Sequence, residues 1–395
     1  MDQITIQKRT LELFGEEVYS AKSVRQIRLA SGVGYQIQAR VLPYLYGSVY
    51  LLPAEDGDGW NLIDSGCGDA DSNADLESGF RTIHEEFDSA FAPEKIRNIF
   101  LTHAHIDHFG GVHELKVRSN ANVIVHSFES RLVDAYDDCS RVENCRYVHF
   151  LLESGVPDDM VEPVLDGFGF RPGRAKHTPV DRTLFGGETL EGLNAVYLPG
   201  HSSGHLAYLY NDVIFTGDLL LSKTLTQIWP ARMTPQTGVL NYVWSLQKLK
   251  RLALNYEKRF GRSLTALPAH EDPIFDIPAR VDSALRAMER RNTRLLKILG
   301  DESEPPTLWE IISKMYWSGR PQREFFALSD VGSRVEFLLQ LNMIKIANVE
   351  QLSYRTPAIR YQTSFSDAEA AKNTIKQIIG MNLPGDEPDL VERQS

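Results

Sequence analysis

A chain of 395 residues is long enough for one large catalytic domain with something smaller attached to it. Its 42% hydrophobic and 24% charged residues are the composition of an ordinary globular protein, which argues against a disordered or fibrous one. A formal net charge of −11 disfavours nonspecific attraction to nucleic acid or to an anionic membrane.

The opening MDQITIQKRTLELFGEE has no apolar core of the kind a secretory signal needs, so a cytoplasmic location is expected. No run of roughly eighteen or more apolar residues predicts a membrane-spanning helix. The three cysteines, Cys67, Cys139 and Cys145, are too sparse for a disulfide framework and too widely spaced for a redox pair. Along the chain, Leu11, Phe14 and Val18 share one side of a first helix. Val24–Leu29, Tyr35–Val41, Ser48–Pro53 and Trp60–Asp64 then read as strands, with a hairpin signal at Glu55–Gly59. Leu76, Phe80, Ile83 and Phe87 recur at helical spacing within Asn73–Ser89. Ile96–Thr102 is a short apolar strand. A helix opens near Gly110, a strand covers Asn122–His126, and Ser127–Phe168 is a longer helical stretch.

The β pattern resumes at Thr189–Pro199, Leu206–Tyr210 and Val213–Thr216, and helices return at Thr237–Asn255 and Ile277–Leu299. Two halves, each of strands and then helices, predict an α/β fold: two sheets face to face with helices outside, an αββα sandwich. Asp301–Pro306 has the composition of a linker. Beyond it, helices at Thr307–Tyr316 and Ser329–Leu341 and a hairpin of Ile344–Ala347 with Arg360–Thr363 suggest a small winged-helix-like α+β module. Ser366–Ile379 reads as a last helix with Ser366 as its cap. The expected organisation is therefore a catalytic domain over 1–300 with a helical insert at about 127–168, the module over 301–365, and a terminal helix and frayed tail over 366–395.

Four metal-competent side chains, His103, His105, Asp107 and His108, fall within six residues directly after a strand. Three imidazoles and a carboxylate suit zinc, with iron or manganese as other choices. Gly110-Gly111 would lend such a turn its backbone freedom. Three more strand-end positions follow: His201 between glycines in Pro199-Gly200-His201, Asp218 in Thr216-Gly217-Asp218, and His270 after Leu267-Pro268-Ala269. His205, at the start of a strand, suits support of a ligand better than ligation itself.

The series Asp64-Ser65-Gly66, H-x-H-x-D-H, Gly-His201, Gly-Asp218 and His270 resembles the complete motif set of the metallo-β-lactamase superfamily, in the right order from about Val24 to Leu299. The resemblance implies that His103, His105 and His201 bind one metal. Asp107, His108 and His270 would bind a second, with Asp218 bridging the two and Asp64 orienting a ligand histidine. It further implies two zinc ions activating a hydrolytic water, with Asp107 and Asp218 as the acids at the reaction centre. The diiron flavoprotein relatives carry Glu in the place of His105, and the zinc lactamases of antibiotic resistance lack the Asp218 acid. The full set is similar to glyoxalase II, to lactonases and to RNA-processing nucleases. A thioester of coenzyme A, glutathione or a carrier protein is the leading substrate. Lactone hydrolysis, ribonuclease activity and persulfide dioxygenation on a single iron are the rivals. The expected partner is a small acyl substrate, without nucleic acid or membrane and with a homodimer left open. Tyr44, Tyr46, Tyr147, Phe150 and Phe168 are candidates for an acyl pocket, and Arg171–Lys176 for an anionic group of a large substrate.

Overall fold

The computed structural model describes residues 23–42, 45–168, 172–316, 321–365 and 367–381. The first helix expected around Leu11–Val18, Tyr44, Arg171, Ser366, the Phe168 side chain and the C-terminal tail lie outside the described residues. In chain order the elements begin with β1 (Val24–Leu29), β2 (Gly32–Leu42), β3 (Leu45–Pro53), β4 (Trp60–Ile63), α1 (Ala70–Thr82), β5 (Ile96–Phe100), α2 (Ile106–Phe109), α3 (Val112–Ser119) and β6 (Asn122–His126). They continue with α4 (Ser130–Asp134), α5 (Tyr136–Glu153), α6 (Asp158–Phe168), β7 (Arg182–Leu184), β8 (Thr189–Leu190), β9 (Leu193–Tyr197), β10 (Leu206–Tyr210), β11 (Val213–Gly217), α7 (Val239–Phe260), β12 (Thr265–Pro268) and α8 (Ile277–Asp301). The last are α9 (Leu308–Tyr316), α10 (Pro321–Gln340), β13 (Ile344–Ile346), β14 (Tyr361–Thr363) and α11 (Ala368–Gly380).

A seven-stranded sheet runs in order from β1 to β7, and a five-stranded sheet runs β12-β11-β10-β9-β8. Alternation along each strand makes the sandwich. Tyr50 and Leu52 of β3 point between the sheets, where they meet Leu206 and Tyr208 of β10, and Tyr50 lies 4.8 Å ring to ring from Phe215. Val49 and Leu51 face the other way, onto Leu76 and Phe80 of α1. On the second sheet Ala207 and Leu209 face Leu246 and Leu249 of α7 and Val281 of α8. Apolar on both faces, the two sheets require helices outside, and the fold is the expected αββα sandwich.

The elements differ from the sequence pattern where local geometry intervenes. Thr189–Pro199 is two strands, because Glu191 (φ 52°) and Gly192 (φ 72°) are both left-handed and turn the chain into a tight hairpin. The Asn73–Ser89 helix starts earlier, at Ala70, where Asp69 accepts a hydrogen bond from the Ser72 N–H, and its end widens into a π-turn at Ile83–Phe87. The Ser127–Phe168 stretch is three helices, and α10 begins eight residues before the expected Ser329. The cap of α11 is Asp367, which accepts from the Glu369 and Ala370 N–H groups. β7 is too short to leave a pattern in the sequence. The C-terminal elements share one core with the second sheet's helices: Leu295 and Leu299 of α8 join Ile311 of α9 and Phe325, Leu328 and Val335 of α10. Among the described residues no helix is long and apolar enough to cross a membrane.

Candidate metal centre

All the singled-out histidines and acids gather at one edge of the sandwich. The donor atoms of His103, His105 and His201 lie within 4.8 Å of one another, and so do those of Asp107, His108, Asp218 and His270. His103 follows β5 in an irregular segment, His105 precedes the single turn α2, and Asp107 and His108 lie on that turn. His201, Asp218 and His270 come from the loops after β9, β11 and β12 of the other sheet.

Gly110 and Gly111 serve a different purpose from the one expected. Gly110 has φ −58° and Gly111 φ −83°, values open to any residue. What a side chain cannot survive is the close approach: a Cβ on Gly110 would lie 2.1 Å from the Cys67 carbonyl oxygen, and one on Gly111 2.2 Å from that of Ser65. The glycines let the His108 turn press onto the backbone after Asp64. There the Ser65 N–H donates to the His108 carbonyl at 2.7 Å.

His103, His108, His201 and His270 each have Nδ1 engaged and Nε2 turned inward. Asp64, buried and left-handed (φ 60°), accepts from His108 Nδ1 at 2.8 Å, from the Thr102 N–H at 2.8 Å and from the Thr102 hydroxyl at 2.9 Å. His201 Nδ1 donates to the Gln227 carbonyl at 2.8 Å, and His270 Nδ1 to that of Tyr46 at 2.8 Å. The Thr102 hydroxyl, already donating to Asp64, accepts from His103 Nδ1 at 3.0 Å. Donation from Nδ1 turns Nε2 of His103, His108, His201 and His270 inward, each offering a lone pair whenever its ring is neutral. His103 Nε2 and His201 Nε2 face each other at 3.1 Å, and His105 Nδ1 stands 3.0 Å from the former. Converging lone pairs repel unless a cation sits among them. In a tetrahedral site with metal–nitrogen bonds of about 2.0–2.1 Å, ligand nitrogens stand roughly 3.3 Å apart. His108 Nε2 and Asp218 Oδ1 are buried and without a hydrogen-bond partner, although only 3.6 Å separates them. The donor set fits metal ions.

Asp218 faces both groups. Its Oδ2 is 3.5 Å from His201 Nε2, and its Oδ1 is 3.5 Å from His270 Nε2. Asp107 Oδ2 lies 3.4 Å from His270 Nε2 and 3.6 Å from His108 Nε2. His205 stands behind the site, accepting the Asp218 N–H at its Nε2 (3.2 Å), and belongs to neither donor group.

Electrostatics divide the groups. Burial, reinforced by the His108 and His105 imidazoles, holds His103 well below its ordinary pKa, and burial next to His201 pushes His105 down to about 3. Both are neutral, as ligands must be. Burial also opposes charge on His270 and His108. The carboxylates outweigh it, Asp218 and Asp107 raising His270 to about 9, and Asp107, Asp218 and Asp64 raising His108. The same pairing holds Asp107 and Asp218 below the usual carboxylate range against the effect of burial.

A cavity of about 650 Å³ opens at His105 and His201, with apolar walls from Leu132, Val142, Tyr147, Trp229 and Met233. Of the aromatic residues expected to line an acyl pocket, Tyr147 does so; Phe150 is buried in the core, and Tyr46 contributes its carbonyl to His270. Lys176 pairs with Glu114 at 2.6 Å and is not among the cavity's lining residues. Sequence reasoning missed Glu129, which accepts the Ala104 N–H at 2.5 Å and the Gly204 N–H at 2.7 Å. It lies just past the end of β6, the strand-end placement that singled out Asp218. Gln227, whose side chain donates to Ser329 of α10 at 2.6 Å, left no sequence signal.

Sandwich and site together define a protein built to hold metal ions between two sheets. The chain belongs to the metallo-beta-lactamase superfamily, whose family model matches residues 42–263. It is 22% identical over 308 residues to the "Probable metallo-hydrolase YqjP" of Bacillus subtilis, across 75% of this chain and 89% of that protein. It is 29% identical over 138 residues to a hydroxyacylglutathione hydrolase of Shewanella pealeana, across 34% of this chain but only 37% of that one. A beta-lactamase domain protein of Burkholderia ambifaria has the same fold, with a TM-score of 0.69 at 19% identity over 88% of this chain and 97% of its own.

Proposed function

We propose that this metallo-hydrolase holds two zinc ions and cleaves an acyl thioester. The observation that carries the reading is Asp218, which presents one oxygen to each of two metal-competent groups beside an apolar cavity. His103, His105 and His201 would hold one ion and Asp107, His108 and His270 the other, with Asp218 shared. Ions bound there would lower the pKa of a water from about 15.7 towards roughly 7 and polarise a carbonyl. The protein's own part is to fix the ligands. Asp64, Thr102 and the Gln227 and Tyr46 carbonyls hold the ring tautomers, and His205 holds the Asp218 backbone.

Two features favour a thioester. A thiolate departs with little help from a general acid, and the buried acid of the cavity, Glu129, has both oxygens committed to backbone N–H groups. The cations lining the cavity, Arg131 and Arg146, are matched by Asp138 and Glu143, a balance that suits an acyl group better than a polyanion. The partial match to hydroxyacylglutathione hydrolases also supports an acyl substrate.

Metal analysis of purified protein is expected to give about two zincs per chain, and a single iron overturns the dizinc reading. A panel of acyl-coenzyme A, acyl-glutathione, lactone and RNA substrates, assayed with Asp107→Ala alongside, is expected to show metal-dependent thiol release. Equal thiol release by Asp107→Ala refutes it.

A further inference from the structure

Resting on the thioester reading, we infer that the substrate's acyl part is a sizeable apolar group, a medium to long chain or an aryl group, rather than a small hydroxyacyl unit. His105 and His201 line the cavity together with the apolar side chains of Leu132, Val142, Tyr147, Trp229 and Met233. Its volume of about 650 Å³ lies within the roughly 300–1,000 Å³ of pockets that enclose most of a drug-sized ligand. A two- or three-carbon acyl group would leave most of it filled with water against apolar walls. The polar and charged thiol moieties of coenzyme A or glutathione gain nothing from such walls. The acyl portion therefore occupies the cavity, with its carbonyl beside His105 and His201 and its tail against the apolar side chains.

Part of the wall of this cavity is held by α10. Glu336 accepts the Ala231 and Arg232 N–H groups (2.5 and 2.9 Å), and Ser329 accepts from Gln227, so the segment carrying Trp229 and Met233 is fixed at both ends. Trp229 is in turn wedged against Phe325 of the same helix, 5.3 Å between rings. A wall braced in this way keeps an apolar space open instead of collapsing into it.

The test is a chain-length series. For acetyl to dodecanoyl thioesters of coenzyme A, kcat/KM is expected to rise by up to about fourfold per methylene until the cavity is full. Val142→Trp, a change at a half-exposed position, is expected to cut the dodecanoyl-to-acetyl ratio at least tenfold by filling the space. A profile that is flat or falls with length overturns the inference while leaving thioester hydrolysis standing. A second arm measures binding of non-hydrolysable S-alkyl thioethers of N-acetylcysteamine by calorimetry. Affinity rising with chain length supports the apolar site even where no thioester is turned over, a result that would defeat the thioesterase reading alone. Affinity independent of length overturns the inference.

A second observation independently points to Glu129 as a positioning residue for the first metal group. It is 2% exposed, and its two oxygens receive N–H groups from two separate ligand loops: Ala104, between His103 and His105, and Gly204, just after His201. Those loops belong to opposite sheets, so one carboxylate sets the distance between the ligands they carry. Glu129→Gln keeps the size but offers one acceptor and an amide NH2, which must face one of the two donors. The mutant is expected to bind Co²⁺ about 10–100-fold more weakly, with a shifted visible spectrum of the bound ion. A purely structural role lowers the metal-free melting temperature and leaves the spectrum and affinity unchanged, and that result overturns the proposal.

Discussion

Asp64→Asn isolates how much of the site depends on ring orientation. Asparagine tolerates the left-handed conformation (φ 60°) and matches aspartate in size, so the backbone has no reason to move. Its carbonyl oxygen can keep the Thr102 N–H, now received at 2.8 Å. Its amide NH2 then takes the place of the oxygen that accepts from His108 Nδ1, also at 2.8 Å. Two donors cannot face each other, so His108 moves its proton to Nε2 or turns away. Either response removes the Nε2 lone pair that His108 would offer to an ion beside Asp107 and Asp218. A hydrogen bond to a charged group is worth about 1.5–3 kcal/mol, which corresponds to roughly 10–150-fold in affinity. The predicted loss in zinc affinity, read by competition with a chromophoric chelator, is of that size and confined to one ion per chain. Asp64→Asn binding two zincs within twofold of the parent affinity would refute the orientation role.

Other perturbations should be as specific. Gly110→Ala drives a methyl into the Cys67 carbonyl, an overlap with no side chain to yield; a loss of several kcal/mol or insoluble protein is expected, read by thermal melting, and a wild-type melting temperature contradicts it. Stripping the metals lowers stability by about 2.7 kcal/mol per site for an ion present at 100 times its Kd, measurable by calorimetry with and without chelator. In the stripped protein His270, raised to about 9 from an ordinary 6.5, binds a proton more tightly folded than unfolded. Its contribution is complete below pH 6.5 and lost as pH rises through 9, so the melting temperature of chelated protein should fall across that window. Truncation after residue 300 should leave the chain aggregated, because Leu295 and Leu299 share their core with α9 and α10; a soluble, cooperatively melting fragment contradicts this.

The ligands were legible in the sequence because metal chemistry restricts residue types and strand ends present them: His103, His201, Asp218 and His270 each follow an apolar strand. The order of elements, strands and then helices in each of two halves, likewise exposed the sandwich. What escaped was set by contacts between distant segments. Glu129 matters only because β6 ends beside both the Ala104 and Gly204 backbones, a juxtaposition no local pattern encodes. Gly110 and Gly111 announced themselves as glycines, but their reason lay in the carbonyls of Cys67 and Ser65, more than forty residues away. The cavity walls Trp229 and Met233 lie in an irregular segment whose shape depends on Glu336 and Ser329 of α10, about a hundred residues later.

Neither donor group is complete on one sheet. His103 and His105 come from the first and His201 from the second; Asp107 and His108 come from the first, Asp218 and His270 from the second. An ion held at either position would therefore crosslink the sheets. The protein already ties this edge without one: the Leu206 N–H donates to the Thr102 carbonyl at 2.8 Å, the Tyr208 hydroxyl to that of Leu101 at 2.8 Å, the Tyr50 hydroxyl to that of Pro268 at 2.6 Å, and the Ser48 N–H to that of Ala269 at 2.6 Å. Each tie joins backbone within one or two residues of a ligand or of Asp64's partner Thr102. Docking of the sheets by the apolar core thus brings the donors together, and these ties fix their spacing before any ion arrives. In the first group the Nε2 atoms of His103 and His201, 3.1 Å apart, repel one another when both rings are neutral, a cost that a bound ion would relieve. That is the preorganisation a tight metal site requires.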